Sequence, residues 1–257
     1  PVMDIHSPVQ EERRNRFAQG LYKIRQRKGM TIDEAHDLIH DPNYFGVMMV
    51  QSGEADGFLS GFSTRYANTI RPALQITGTN NSLHHIAGMY IVITKKGPFF
   101  FADTTVNINP TARMLADTTL LVANEVRKFN IVPHIAMLSF SNFGSNRNDS
   151  PNIVREAVQI LHRDYPDLIV DGEMQANYAF NKELRQEKFP FSKLADNDVN
   201  TAIFPDLNSG NIAYKMMQEL GGAEVIGPIV TGLRKPIQVL QMASSVREIV
   251  NMAAITV

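Results

Sequence analysis

Apolar, β-rich runs alternate along this chain with amphipathic stretches that open on helix caps, and this alternation constrains the fold more than any other feature. Ile86 to Thr94 and Pro98 to Ala102 are apolar runs separated by the hairpin signal Lys95-Lys96-Gly97-Pro98, and Asp103 ends the second. Asn109-Pro110-Thr111 starts a long amphipathic helix reaching about Phe129. Pro133 to Phe140 then reads as a strand, Pro151 to Arg163 as a helix, Leu168 to Asp171 as a strand and Ala202 to Pro205 as another. Such a succession predicts an α/β fold with largely parallel strands. No GxGxxG occurs, so a dinucleotide-binding Rossmann unit is not encoded.

The first part of the chain reads as helical. Ser7 to Lys28 carries Pro8 near a helix start and Phe17, Leu21 and Ile24 at helical spacing, and Gly29 ends it. The cations around that face, Arg13, Arg14, Arg16, Lys23, Arg27 and Lys28, read as a solvated surface. Thr31 and Glu34 form a capping box for a second helix to about His40, before Asp41-Pro42. His36 and His40 stand four apart, but no Glu follows the first as in zincins, and no metal is assigned. Asn43 to Gly53 is an apolar helix, and Glu54 to Gly61 a short buried strand ending in Ser60-Gly61. With Thr64 and a helix behind it, that end places amides and hydroxyls where a ligand phosphate can approach. Lys182 to Asn200 is polar and reads as a helix with a surface loop around Phe189-Pro190-Phe191.

Composition bounds what such a chain does. With 257 residues, 44% hydrophobic, it can bury a core in one large or two small domains. The 25 basic residues balance 26 acidic ones, which argues against nucleic acid as a general partner. There is no Cys, no apolar run near the roughly 18 residues of a spanning helix and no signal peptide, so a soluble, cytoplasmic protein without membrane partners is expected. Pro1-Val2-Met3-Asp4 reads as the interior of a longer protein.

The last stretch runs from the turn pair Gly227-Pro228 through an apolar segment broken at Gly232 into the basic loop Leu233-Arg234-Lys235-Pro236. Ser245 and Glu248 make a second capping box, ahead of an apolar face of Ile249, Val250, Met252, Ala253 and Ile255, predicting loop, cap and buried helix. Lys235-Pro236-Ile237 followed by this helix resembles the C-terminal end of the phosphate acetyl/butyryl transferase family, whose members move an acyl group between coenzyme A and phosphate. Laid over that motif, the family's catalytic Ser falls on Gln241, its phosphate-binding Arg on Met242 and its base, an Asp, on Glu248. Met242 can supply no charge, and no confident catalytic residue is assigned.

Further matches extend the resemblance over nearly the whole chain. Tyr22 to Thr31 matches a stretch whose Arg, here Arg25, binds coenzyme A phosphate, a task suited to a guanidinium fork. Asp56-Gly57-Phe58-Leu59-Ser60-Gly61 and Arg71-Pro72-Ala73-Leu74-Gln75-Ile76 are similar to family signatures, which gives Arg71 a second phosphate-contacting role, the other reading being an Arg that caps nearby carbonyls. Phe62 to Tyr66 departs from the family pattern, losing its His. The polar loop from Ser139 to Ser145, the Gly172-Glu173-Met174-Gln175 loop and Phe204 to Lys215 also resemble the family. In the last, caps alone would explain the Asn residues, whereas the resemblance assigns Asn208 and Asn211 to the ligand. It implies acetyl-CoA or coenzyme A held by Arg25, Ser60, Thr64, Arg71, Asn208, Asn211, Lys235, Gln241 and Glu248. It also implies two lobes like those of the isocitrate dehydrogenase superfamily, residues 1–83 plus 230–257 and residues 84–229, with the coenzyme in the cleft. The ending looks most like the C-terminal phosphotransacetylase-like domain of hybrid NADP-dependent malic enzymes. The expectation is therefore a regulatory acetyl-CoA-binding domain, as part of a homo-oligomer built on dimers, with NADP and a divalent metal only in upstream malic enzyme domains. The alternatives are a phosphate acetyltransferase and a domain kept only for oligomerisation.

Overall fold

The structure, a computed structural model, describes residues 8–79, 85–103, 105–242 and 244–256. The first residues of the chain, with Ser7 at the expected helix start, and Leu83 at the expected lobe boundary lie outside these. The chain divides into two compact units, Pro1–Ser82 with Leu233–Val257 and Leu83–Gly232.

The first unit opens with α1 (Pro8–Arg25), continued by a 3-10 turn over Gln26–Lys28 and closed by Gly29 in the left-handed region at φ 89°. α2 (Ile32–Ile39) has the expected capping box, in which Thr31 and Glu34 exchange bonds of 3.2 and 2.8 Å. α3 (Pro42–Ser52) starts from Asp41, whose carboxylate accepts Asn43 N at 2.7 Å, and stops at Gly53, φ 80°. Phe17, Leu21, Ala35, Ile39, Val47, Ala73 and Ile76 form the core between these helices and α4 (Tyr66–Ile76). The strand expected over residues 54–61 is only β1 (Phe58–Ser60), and it is half-buried. Glu54 and Ala55 both donate their N–H to Met49 O, so the residues after α3 are spent on closing that helix before extended structure begins.

The second unit is a six-stranded sheet. β2 (Ala87–Thr94) and β3 (Gly97–Ala102) form the expected hairpin. Then come α5 (Ala112–Lys128), capped by Thr111, β4 (Ile135–Leu138), α6 (Asp149–Asp164), β5 (Val170–Met174), the short α7 (Ala176–Ala179) and α8 (Lys182–Lys188). β6 (Thr201–Ile203), α9 (Leu207–Glu219) and β7 (Glu224–Thr231) complete it. The order is β5-β4-β6-β3-β2-β7; β3, β6, β4 and β5 run parallel, whereas β2 is antiparallel to both β3 and β7. The fold is α/β with mostly parallel strands.

Three expectations here are corrected. Gly227-Pro228 is not a turn but lies inside β7; β7 is the sheet edge, where a missing N–H need not break a ladder, and the β2–β7 register shifts opposite it. Gly172-Glu173-Met174 belongs to β5 rather than to a loop. The polar stretch 182–200 is not simply surface, because Arg185 and Leu194 are fully buried. Arg185 donates to the carbonyls of Leu194 at 3.0 Å, Tyr178 and Ala179 at 2.7 Å each, and Asn197, tying the stretch into one knot.

The chain then returns to the first unit, where β8 (Ile237–Val239) pairs in parallel with β1, Ser60 opposite Val239, and α10 (Val246–Thr256) packs on both strands. The buried helix expected here is corrected: Met252 and Thr256 are buried, but Val246 and Val250 are 79% and 60% exposed. Two strands of three residues offer too little surface to cover a whole apolar face.

Arg185→Leu removes the donors and leaves their carbonyls buried, so it should lower the unfolding free energy by about 3 kcal/mol. Urea denaturation would show this as a lower midpoint at unchanged slope.

Candidate active site

In the first unit the carboxyl ends of β1 and β8 emerge together. Leu240 N donates to Ser60 O at 2.6 Å, and Gly61, at φ 109°, leaves no room for a Cβ, which would lie 2.6 Å from Leu240 O. The loops Gly61 to Arg65 and Leu240 to Met242 therefore run side by side. The Ser60 hydroxyl donates to the buried Asn43 Oδ1 at 2.7 Å, so it is already engaged. Thr64 Oγ1 and the Tyr66 hydroxyl are buried with no hydrogen-bond partner among the described residues, and burial pushes the Tyr66 phenol well above its usual range. α4 starts here without a side-chain cap from Arg65, leaving N–H groups of its first turn for a ligand.

The two arginines singled out from the sequence both act electrostatically on one tyrosine. Burial pushes the Tyr44 phenol up, while the charges of Arg71 and, more weakly, Arg25 pull it down. Tyr44 donates to Gln75 Oε1 at 2.6 Å, joining α3 to α4 beside Arg71. Arg71 is exposed, and its side chain makes no hydrogen bond among the described residues. Arg25 Nε is buried and has no partner among the described residues. Arg25 also lines a pocket of about 390 Å³ with Lys28, Gly29, Met30, Glu34 and Leu38. A buried guanidinium N–H without an acceptor is costly unless a ligand supplies one.

The C-terminal positions are arranged differently. Lys235 is half-buried, while the neighbouring Arg234 is held by Thr79 O at 2.7 Å. Gln241 is half-buried and its carbonyl accepts the Ser244 hydroxyl at 3.0 Å; Met242 is 69% exposed. Glu248 closes the capping box of α10, accepting Ser245 N at 2.5 Å while its own N–H donates to Ser245 Oγ at 3.2 Å. Its carboxylate is thus occupied in starting the helix.

In the second unit Asp206, not an Asn, caps α9, accepting Ser209 N at 2.8 Å. Asn208 is exposed and makes no side-chain hydrogen bond among the described residues; Asn211 is half-buried and engaged. The Ser139–Ser145 loop hangs on Glu173, which is fully buried. Burial works to raise this carboxyl, but Arg155, Gly144 N at 2.8 Å and the Ser141 hydroxyl at 2.9 Å outweigh it and hold it below the usual range.

One group was missed from the sequence. Asp103, at the end of β3, is fully buried with a left-handed backbone, φ 56°. Asn107 Nδ2 donates to one carboxyl oxygen at 2.8 Å, and the other has no partner among the described residues. Burial pushes Asp103 up to about 6, against the Asn107 donors and helped by Asp206. Asn107 Nδ2 also lies 3.3 Å from His85 Nε2, and Thr118 Oγ1 lies 3.0 Å from the same nitrogen. The signal in the sequence is an Asp at a strand end with an Asn four residues on. Among the described residues no group of three or more His, Asp or Glu could hold a metal, and no helix is long and apolar enough to cross a membrane.

Comparisons with known proteins cover the whole chain. Residues 1–257 match the profile of the family described as "Phosphate acetyl/butaryl transferase". A phosphate acetyltransferase of Clostridium acetobutylicum is 38% identical over 263 residues, covering 100% of this chain and 78% of that protein. Among solved structures, a phosphotransacetylase from Streptococcus pyogenes superposes with a TM-score of 0.87 at 40% identity, covering 96% of this chain and 74% of that one. The EutD phosphotransacetylase from Staphylococcus aureus gives 0.86 at 33% identity over 98% and 76%. These findings overturn the expectation of a regulatory malic enzyme domain, and they lend no support to NADP, a divalent metal or allosteric control. That expectation drew on departures in one C-terminal stretch, whereas the similarity to proteins named for acetyl transfer runs from end to end.

Because its folded pKa lies above the unfolded one, Asp103 contributes stability that is complete below about pH 3.8 and is lost as pH rises through about 6. Asp103→Asn should therefore be more stable than the parent at pH 7.5, by up to about 3 kcal/mol, with the gain vanishing towards pH 4. Denaturant titrations at the two pH values measure it.

Proposed function

Since the chain belongs to the phosphate acetyl/butyryl transferase family, we propose that it moves an acetyl group between coenzyme A and phosphate. The observation that carries this reading is the family match over all 257 residues, joined by the buried Arg25 Nε, which has no hydrogen-bond partner among the described residues. In it, Arg25 and Arg71 bind coenzyme A phosphates by charge-assisted hydrogen bonds, and Thr64 with the first turn of α4 supplies further donors. Ser60, Lys235 and Gln241 contribute polar contacts.

The coenzyme A thiol loses its proton, the sulfur attacks the carbonyl carbon of acetyl phosphate, and the carbon–oxygen bond breaks to release phosphate. A carboxylate is needed to take the thiol proton, and Glu248 does so by letting go of Ser245 N. The charge on the acyl phosphate falls to Lys235 and backbone N–H groups, since Met242 carries none. Loss of one preorganised electrostatic contact costs on the order of 10² to 10³ in rate, so turnover is expected to be slow.

The test is acetyl-CoA formation from acetyl phosphate and coenzyme A, followed at the thioester absorbance. Turnover is expected, and Arg71→Ala should weaken coenzyme A binding by about 1.5 to 3 kcal/mol. A folded protein that forms no acetyl-CoA would refute the transfer, and an unchanged affinity in Arg71→Ala would refute the assigned anion contact.

A further inference from the structure

α9 is apolar on two faces. Towards the sheet it buries Gly210 and Tyr214, whose ring stacks on that of Tyr90 at 3.9 Å between centroids, and Ala213 and Met217 pack on the same core. Its outward face carries Ile212, Met216 and Leu220, which are 57%, 54% and 80% exposed. Residues four apart lie one above another on a helix, so these three form a row about 12 Å long.

The other long helices of the second unit differ. α5 exposes Arg113, Asn124, Arg127 and Lys128, and the exposed residues of α6 are likewise all polar or charged. A helix that covers a sheet and faces water has one apolar face and one polar face. A second apolar face marks a surface that a partner covers.

The charges beside the row indicate which partner. Lys215 and Glu219 are both exposed, one turn apart, and each immediately precedes a residue of the row, Met216 or Leu220. Lys215 Nζ lies 5.2 Å from the Tyr214 ring centroid rather than on Glu219. A cation followed by an anion along a helix is complementary to itself when a second copy runs antiparallel, as a two-fold axis requires.

We propose that this face binds a second copy of the chain, α9 against α9, antiparallel about a two-fold axis at Met216. Met216 then meets its own copy, and Ile212 lies opposite the partner's Leu220. Lys215 stands two residues, about 3 Å along the helix, from the position facing the partner's Glu219, within reach of both long side chains. The apolar row makes the core of the interface and the two ion pairs its rim. The antiparallel setting also places the dipoles of the two helices in opposition, which is favourable. None of this depends on the acyl transfer reading.

Light scattering and sedimentation equilibrium of the full chain over a range of concentrations test it. The parent is expected at the mass of two chains. Met216→Arg and Leu220→Lys alter exposed positions, so each should keep the far-UV circular dichroism of the parent and run as a monomer. Lys215→Glu or Glu219→Lys alone sets like charges together and should raise the dimer dissociation constant about tenfold, whereas the double swap should return it to within about threefold of the parent. The chain contains no Cys, so Met216→Cys supplies a single thiol that mild oxidation should link to its copy across the axis, while Asn124→Cys on α5 stays unlinked. A parent that remains monomeric, or a dimer that survives both Met216→Arg and Leu220→Lys, overturns the proposal. A double swap as weak as the single ones overturns the antiparallel pairing.

Discussion

The first unit depends on one pairing, that of β1 with β8. It joins Phe58–Ser60 to Ile237–Val239, segments separated in sequence by the whole of the second unit. A parallel pair cannot be closed by a hairpin, and the entropy of closing so long a connection grows only slowly with its length. Much follows from it: Leu240 N reaches Ser60 O, Gly61 must lack a side chain, and the loops bearing Thr64 and Gln241 become neighbours. Ile237 also enters the helical core, so the same pairing ties the end of the chain to its beginning.

The second unit is organised around buried charges that are treated in opposite ways. Glu173 and Arg185 are both fully buried and richly bonded, Glu173 by Arg155, Gly144 and Ser141, Arg185 by four carbonyls. Such compensation is what lets a charge stay inside a protein, and each of these residues pins a loop. Asp103 is as deeply buried but has one oxygen left over, and its carboxyl rises towards neutrality. The difference lies in the donors supplied by the surroundings, not in the residue type.

Local signals were read correctly because their physics is local. The capping boxes at Thr31–Glu34 and Ser245–Glu248 and the left-handed ends at Gly29 and Gly53 involve residues within a turn of one another. The hairpin between β2 and β3 is of the same kind. Arg25 and Arg71 are legible in the sequence as candidate anion contacts, whereas the engagement of Ser60 by Asn43 is seen only in the fold. The malic enzyme reading failed because Gln241 and Met242 were given more weight than the agreement of the remaining chain.

By itself, then, the sequence determined the elements, their caps, the mostly parallel α/β class and the membership of a transferase family, since each is carried by neighbouring residues or by the accumulated pattern of the whole chain. The tertiary structure alone decided that Gly227-Pro228 sits in an edge strand, that Arg185 is buried while Val246 and Val250 are exposed, and that Asp103 is left with an unsatisfied oxygen. Each of these depends on groups far away in sequence or on how much surface a neighbouring element offers, and burial and electrostatic compensation exist only once those groups have been brought together.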